Sequence, residues 1–90
     1  MQLLEDVASA LRVLAHPHRL KIVELLEHEQ LTVGELAERL KIAPSACSQH
    51  LNLMRAHALL RSARQGRTVH YQVDHPSALS VINCIRTKLL

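Results

Sequence analysis

Apolar residues recur at helical spacing up to about residue 56, alternate over the next stretch to about residue 73, and return to helical spacing at the end, so helices flank a hairpin. Over residues 2–15, Leu3, Val7, Ala10, Leu11 and Leu14 share one helical face, with Glu5, Asp6 and Arg12 off it. Ala15-His16-Pro17 breaks that helix, and Pro17 suits the first turn of the next, where its missing N–H costs nothing. The second helix is predicted to reach about Glu29, burying Leu20, Ile22, Val23 and Leu26 and turning Glu24, Glu27 and Glu29 to water. Thr32-Val33-Gly34-Glu35 has the Thr-x-x-Glu spacing of a capping box, so a short third helix starts there, buries Val33, Leu36, Ala37 and Leu40, and ends near Lys41. Pro44 opens a fourth helix that runs to about Ala56. Its Cys47, Leu51 and Met54 form an apolar face, and Ser45, Ser48, Gln49, Asn52 and Arg55 lie mostly opposite.

Past His57-Ala58 the period changes. Residues 59–64 and 68–73 read as short strands joined by a compact turn at Gln65-Gly66-Arg67. In the second strand Val69, Tyr71 and Val73 should pack while Thr68, His70 and Gln72 face out. A last helix is capped by Asp74 or His75, carries Pro76 in its first turn, and repeats Ala78, Ile82, Ile85 and Leu89 on one side. The expectation is therefore a single domain over residues 1–90, mainly α with a small β-hairpin wing. Its order α-α-α-α-β-β-α is that of a winged helix-turn-helix, with the helix-turn-helix at 32–56 and the wing at 59–73. The end helices, 2–15 and 76–90, have apolar stripes that so short a chain cannot cover by itself. Leu3, Val7, Leu11, Ala78, Ile82, Ile85 and Leu89 are accordingly expected to form a homodimer interface.

Composition narrows the function. Leucine and alanine dominate the apolar residues, and Tyr71 is the sole aromatic of the Phe/Trp/Tyr class, which disfavours sheets that stack single-stranded bases. The formal net charge of +3 is unevenly placed. Residues 1–45 hold five basic and seven acidic side chains; residues 46–90 hold Arg55, Arg61, Arg64, Arg67, Arg86 and Lys88 against Asp74 alone. No acidic residue lies between Glu38 and Asp74, so a polyanion would meet that stretch without repulsion. The chain lacks a run of the roughly 18 apolar residues that span a membrane, and it does not start like a signal peptide. Cys47 and Cys84 are too few for a disulfide scaffold, so a cytoplasmic protein without membrane contact is expected.

Four stretches carry a resemblance. They are Leu14-Ala15-His16-Pro17-His18-Arg19-Leu20-Lys21-Ile22, Leu31-Thr32-Val33-Gly34-Glu35-Leu36-Ala37, Ser48-Gln49-His50-Leu51 and Gly66-Arg67-Thr68-Val69-His70-Tyr71. In this order and spacing the chain resembles the small winged-helix repressors of the ArsR/SmtB type over about residues 3–75. The resemblance implies a homodimeric, DNA-binding transcriptional regulator, usually a repressor, released from DNA by a metal ion or by thiol chemistry. It puts Ser45, Ser48, Gln49 and His50 on the DNA-facing start of the recognition helix, and Arg64 and Arg67 on the wing. The chemistry of the residues agrees. Gln49 and Asn52 can pair with adenine edges in the major groove, whereas Ser45 and Ser48 suit phosphate. Arg55 can reach either. Arg64 and Arg67 suit phosphate or the flanking minor groove, and His50 has a structural alternative, a hydrogen bond across the motif. The expected partner is double-stranded DNA with an operator of approximate two-fold symmetry.

The sensing sites of the family are where this sequence departs from it. Members with a soft-metal site in the third helix carry Cys-x-Cys, and residues 31–36 hold no thiol. Members with a zinc site on the last helix use Asp, His and Glu, whereas His75, Ser77 and Lys88 fall on or near those positions here. Thiol-sensing members pair a cysteine of the second helix with one in the last, and this second helix has none. Of the seven histidines, His16 and His18 are two apart at a helix entry, His28 is near a helix end, and His57, His70 and His75 belong to different elements, so neither a metal site nor a cofactor is expected; His16 or His18 with His75 across a dimer is the one arrangement left open. Cys47, on an apolar face, reads as a small hydrophobe, and a redox role for Cys84 or Cys47 stays as an alternative. No nucleophile, base and orienting group fall together, and two glycines cannot form a phosphate-cradling loop, so an enzyme is not expected. The competing reading is a winged-helix module for protein–protein contact with an incidental basic face.

Overall fold

The computed structural model describes residues 2–74. Four helices come first: α1 (Gln2–Leu14), α2 (Pro17–Leu26), α3 (Val33–Leu40) and α4 (Pro44–Ala56). Two antiparallel strands follow, β1 (Leu60–Gln65) and β2 (Thr68–Val73). The expected order is therefore present through the wing. The final helix, with Ala78, Ile82, Cys84, Ile85 and Leu89, lies outside the described residues, as do the side chains of Leu3 and Val7.

Helices α2 and α3 are each started by a local cap. His16 is extended at the head of α2, and its imidazole Nδ1 accepts a hydrogen bond from the backbone N–H of His18 at 3.1 Å; Pro17 follows in the first turn. Thr32 and Glu35 make the anticipated capping box, with the Thr32 hydroxyl accepting from the Glu35 N–H and the Glu35 carboxylate accepting from the Thr32 N–H. That bond to the anion holds the Glu35 carboxyl below its ordinary range. Helix α3 stops where Lys41 turns left-handed at φ 59°, and the Ile42 N–H returns to the Ala37 carbonyl in a Schellman-like closure.

The core gathers one face of every element: Val13 and Leu14, Ile22, Val23 and Leu26, Leu31, Leu36 and Ala37, Cys47, Leu51 and Met54, Leu59 and Leu60, and Tyr71. Ile22, Val23, Leu36, Cys47, Leu51 and Met54 are fully buried. Truncating a leucine in such a setting costs about 2–5 kcal/mol.

Five expectations are corrected. Helix α2 ends at Leu26 rather than near Glu29, because the chain must straighten for Leu31 to pair with the wing. The Tyr71 N–H donates to the Leu31 carbonyl at 2.8 Å, which adds a one-residue bridge to the sheet. Leu20 is 38% exposed, since the buried stripe of α2 is Ile22, Val23 and Leu26. Val69 is 39% exposed because it pairs with Arg64, beyond the reach of the helical body, while Tyr71 nearer the base is buried. The first strand also starts one residue late, and the turn shortens to Gly66-Arg67 between the paired Gln65 and Thr68. Gly66 has φ 65° and Arg67 is not among the positive-φ residues, the pattern of a type II′ hairpin turn.

Candidate nucleic-acid interface

Helices α3 and α4 are separated only by Lys41, Ile42 and Ala43, which fixes their crossing tightly. Burial of Cys47, Leu51 and Met54 against the core sets the rotation of α4 about its axis. That rotation leaves Ser45, Gln49, Asn52 and Arg55 exposed on the outer side and Ser48 half-buried. These are uncharged hydrogen-bonding groups ending in one cation, a face able to meet both base edges and phosphates.

The wing continues the surface. Asn52, Arg55 and Ala56 of α4 and Leu60, Arg61 and Ser62 of β1 line an open cleft of about 610 Å³. Arg61 and Arg55 thus belong to one depression, with Arg61 in long contact with Asp74 at 4.0 Å. Arg64 and Arg67 are exposed at the wing tip, where the Arg64 Nε donates to the Gly66 carbonyl at 3.3 Å. Gln30 braces the hairpin from below: its Nε2 donates to Gln72 Oε1 at 3.1 Å and its Oε1 accepts from Gln65 Nε2 at 3.2 Å. Sequence reasoning missed this brace and the Leu31–Tyr71 bridge, since both join residues about forty positions apart and neither leaves a periodic trace.

His50 departs from the rest of the α4 set. Its ring is half-buried and turned to the start of α2, with ring centroids 4.7 Å from His16 and 5.7 Å from His18. Burial, then the neighbouring His16, Arg19 and His18, lowers its pKa. His16 is lowered by burial, Arg19 and His18 in the same way, so both rings are held toward the neutral form. His50 is more than thirty residues from His16 and His18 along the chain, and the fold brings the three together. Cys47 is 0% exposed, and burial pushes its thiol pKa up, which removes the physical basis for a reactive thiol at that position. Cys84 lies outside the described residues.

Comparison with known proteins agrees with this geometry. A family model described as a helix-turn-helix domain matches residues 14–63. The transcriptional repressor PagR of Bacillus anthracis is 42% identical over 83 residues, which span 91% of this chain and 83% of PagR. Its crystal structure superposes with a TM-score of 0.82 at 40% identity, over 93% of this chain and 97% of that one. The HTH-type transcriptional repressor SmtB of Mycobacterium tuberculosis is 34% identical over 85 residues, 93% of this chain and 63% of SmtB. A winged helix-turn-helix DNA-binding domain from Mycobacterium bovis, described as homodimeric, shares the fold with a TM-score of 0.88 at 22% identity, over 96% of this chain and 80% of that one. The described helices and wing, the family match and these relatives converge: the chain belongs to the ArsR/SmtB-type family of winged helix-turn-helix transcriptional regulators, which bind DNA.

Proposed function

We propose that the protein is a homodimeric repressor that places α4 of each protomer in the major groove of a roughly two-fold symmetric operator and lays each wing on the flanking groove or backbone. One observation carries the reading: the exposed polar side of α4 meets Arg55 and Arg61 in one cleft at the base of the wing, in a stretch with no acidic residue from Lys41 to Arg67. In this arrangement Gln49 and Asn52 read base edges, Ser45 and Ser48 meet phosphate, and Arg55, Arg64 and Arg67 supply most of the salt-sensitive attraction. His50 supports the helix from behind. The exposed Leu11 at the end of α1, 40% accessible, is consistent with an apolar face that a second copy covers. The homodimeric description of the Mycobacterium bovis domain supports that choice of partner.

A gel-shift assay on the DNA upstream of the protein's own gene, against a scrambled duplex of equal length, tests the reading. The operator duplex is expected to shift at protein concentrations that leave the scrambled duplex free, and to shift as a dimer complex. Equal binding to both duplexes would overturn it in favour of a non-specific or protein-docking role.

A further inference from the structure

We propose that His16, His18 and His50 form a binding site for a first-row divalent metal ion of the zinc type, joining the start of α2 to the DNA-facing helix α4. Each residue can offer one imidazole nitrogen, and the three nitrogens all lie within 4.8 Å of one another. A tetrahedral zinc site with bonds of 2.0–2.1 Å needs its donors roughly 3.3 Å apart, so side-chain adjustment of the order of an ångström closes the site. The rings are tilted against one another by 46°, 54° and 75°, not stacked in parallel, which lets their edges converge. All three residues are half-buried, so the pocket is open enough for an ion to enter yet partly screened from water. Imidazole is a donor suited to zinc, cobalt, nickel and copper rather than to magnesium or calcium.

Two features set the character of the site. The His16 Nδ1 lone pair caps α2 by accepting from the His18 N–H, so a metal ion competes with that cap for the ring. Arg19 is the cation whose charge acts on both His16 and His50, and it repels a bare dication. Its Nε is buried with no hydrogen-bond partner among the described residues. Three protein ligands leave a fourth position for hydroxide or chloride, and an anion there offsets the guanidinium charge. The resulting site is weaker than a closed four-ligand structural zinc centre. Because it spans α2 and α4 immediately beside Gln49, occupancy ties the recognition helix to the body of the domain.

The test uses chelator-treated full chain and titrates cobalt(II), read by its visible absorption, followed by zinc(II) competition and thermal melts with and without zinc. The expected result is one ion per chain and a rise in Tm with zinc, as for any ligand that binds only the folded state. His18→Gln and His50→Gln should each weaken binding by at least about tenfold and abolish the Tm rise, whereas His28→Gln, outside the cluster, should behave as wild type. His18 tests the site even if the His50 variant loses its fold, because the backbone N–H, not the ring, of His18 serves the cap. Absence of cobalt binding, or binding that is unchanged in the His18 variant, overturns the proposal. Neither readout involves DNA, so its failure is separate from failure of the operator-binding reading.

Discussion

At the scale of single residues, the fold depends on side chains whose roles differ from their chemical reputations. Cys47 is a nucleophile by type and a core hydrophobe by placement, its thiol kept protonated by burial. In a Cys84→Ser background, an aromatic disulfide reagent should label Cys47 no faster than the domain opens, and quickly once denaturant is added. Rapid labelling of the native protein would contradict the buried placement. Gly66 matters for its backbone alone: it sits at φ 65°, and a Cβ there meets nothing within 4 Å. Gly66→Ala should therefore cost about 1 kcal/mol through backbone strain, measured by urea unfolding, with no packing penalty added. The apolar spacing of α4 alone marks Cys47 as core. The meeting of His50 with His16 and His18 was not legible, because it depends on how α4 crosses α2, and separation along the chain says nothing about that angle.

At the scale of elements, starts were more legible than ends. The capping box at Thr32 and the prolines at 17 and 44 are written in adjacent residues, and each opens a helix as expected. Where α2 stops is decided elsewhere, by Tyr71 pairing with Leu31. The wing shows the same limit, since alternation marked Val69 for burial and only the hairpin's reach beyond the body exposes it. The capping box also makes a pH prediction. Glu35 has its pKa lowered in the folded state, so its contribution to stability is present above its ordinary value near 4.5 and is lost as pH falls through the lowered folded value. Glu35→Gln removes that titration. Denaturant midpoints compared from pH 6 to the acid limb should converge toward each other in wild type and variant as pH drops, with wild type falling more steeply. Parallel curves would show that the Glu35 carboxylate adds no pH-dependent stability.

At the scale of the whole molecule, the chain divides its charge by task. The acidic-leaning first half builds the scaffold, with exposed pairs such as Lys21–Glu24 and Arg39–Glu29 that satisfy charges locally. Such exposed pairs contribute little to stability. In the second half Arg55, Arg61, Arg64 and Arg67 are exposed, and Arg55 and Arg61 share a cleft with Asn52. A protomer alone offers one helix and one wing; in the proposed dimer two copies would present two of each to the double helix. The direct test is the salt dependence of operator binding, measured by fluorescence anisotropy for wild type, Arg67→Ala and Gln49→Ala. With two or three arginines per protomer on phosphates, log K should fall against log salt with a slope of about −4 to −5. Arg67→Ala should weaken operator and scrambled duplexes alike and flatten the slope by about 2 in the dimer. Gln49→Ala should weaken the operator alone and leave the slope unchanged. A slope near zero, or operator affinity untouched by both substitutions, would contradict the assignment of this surface to DNA.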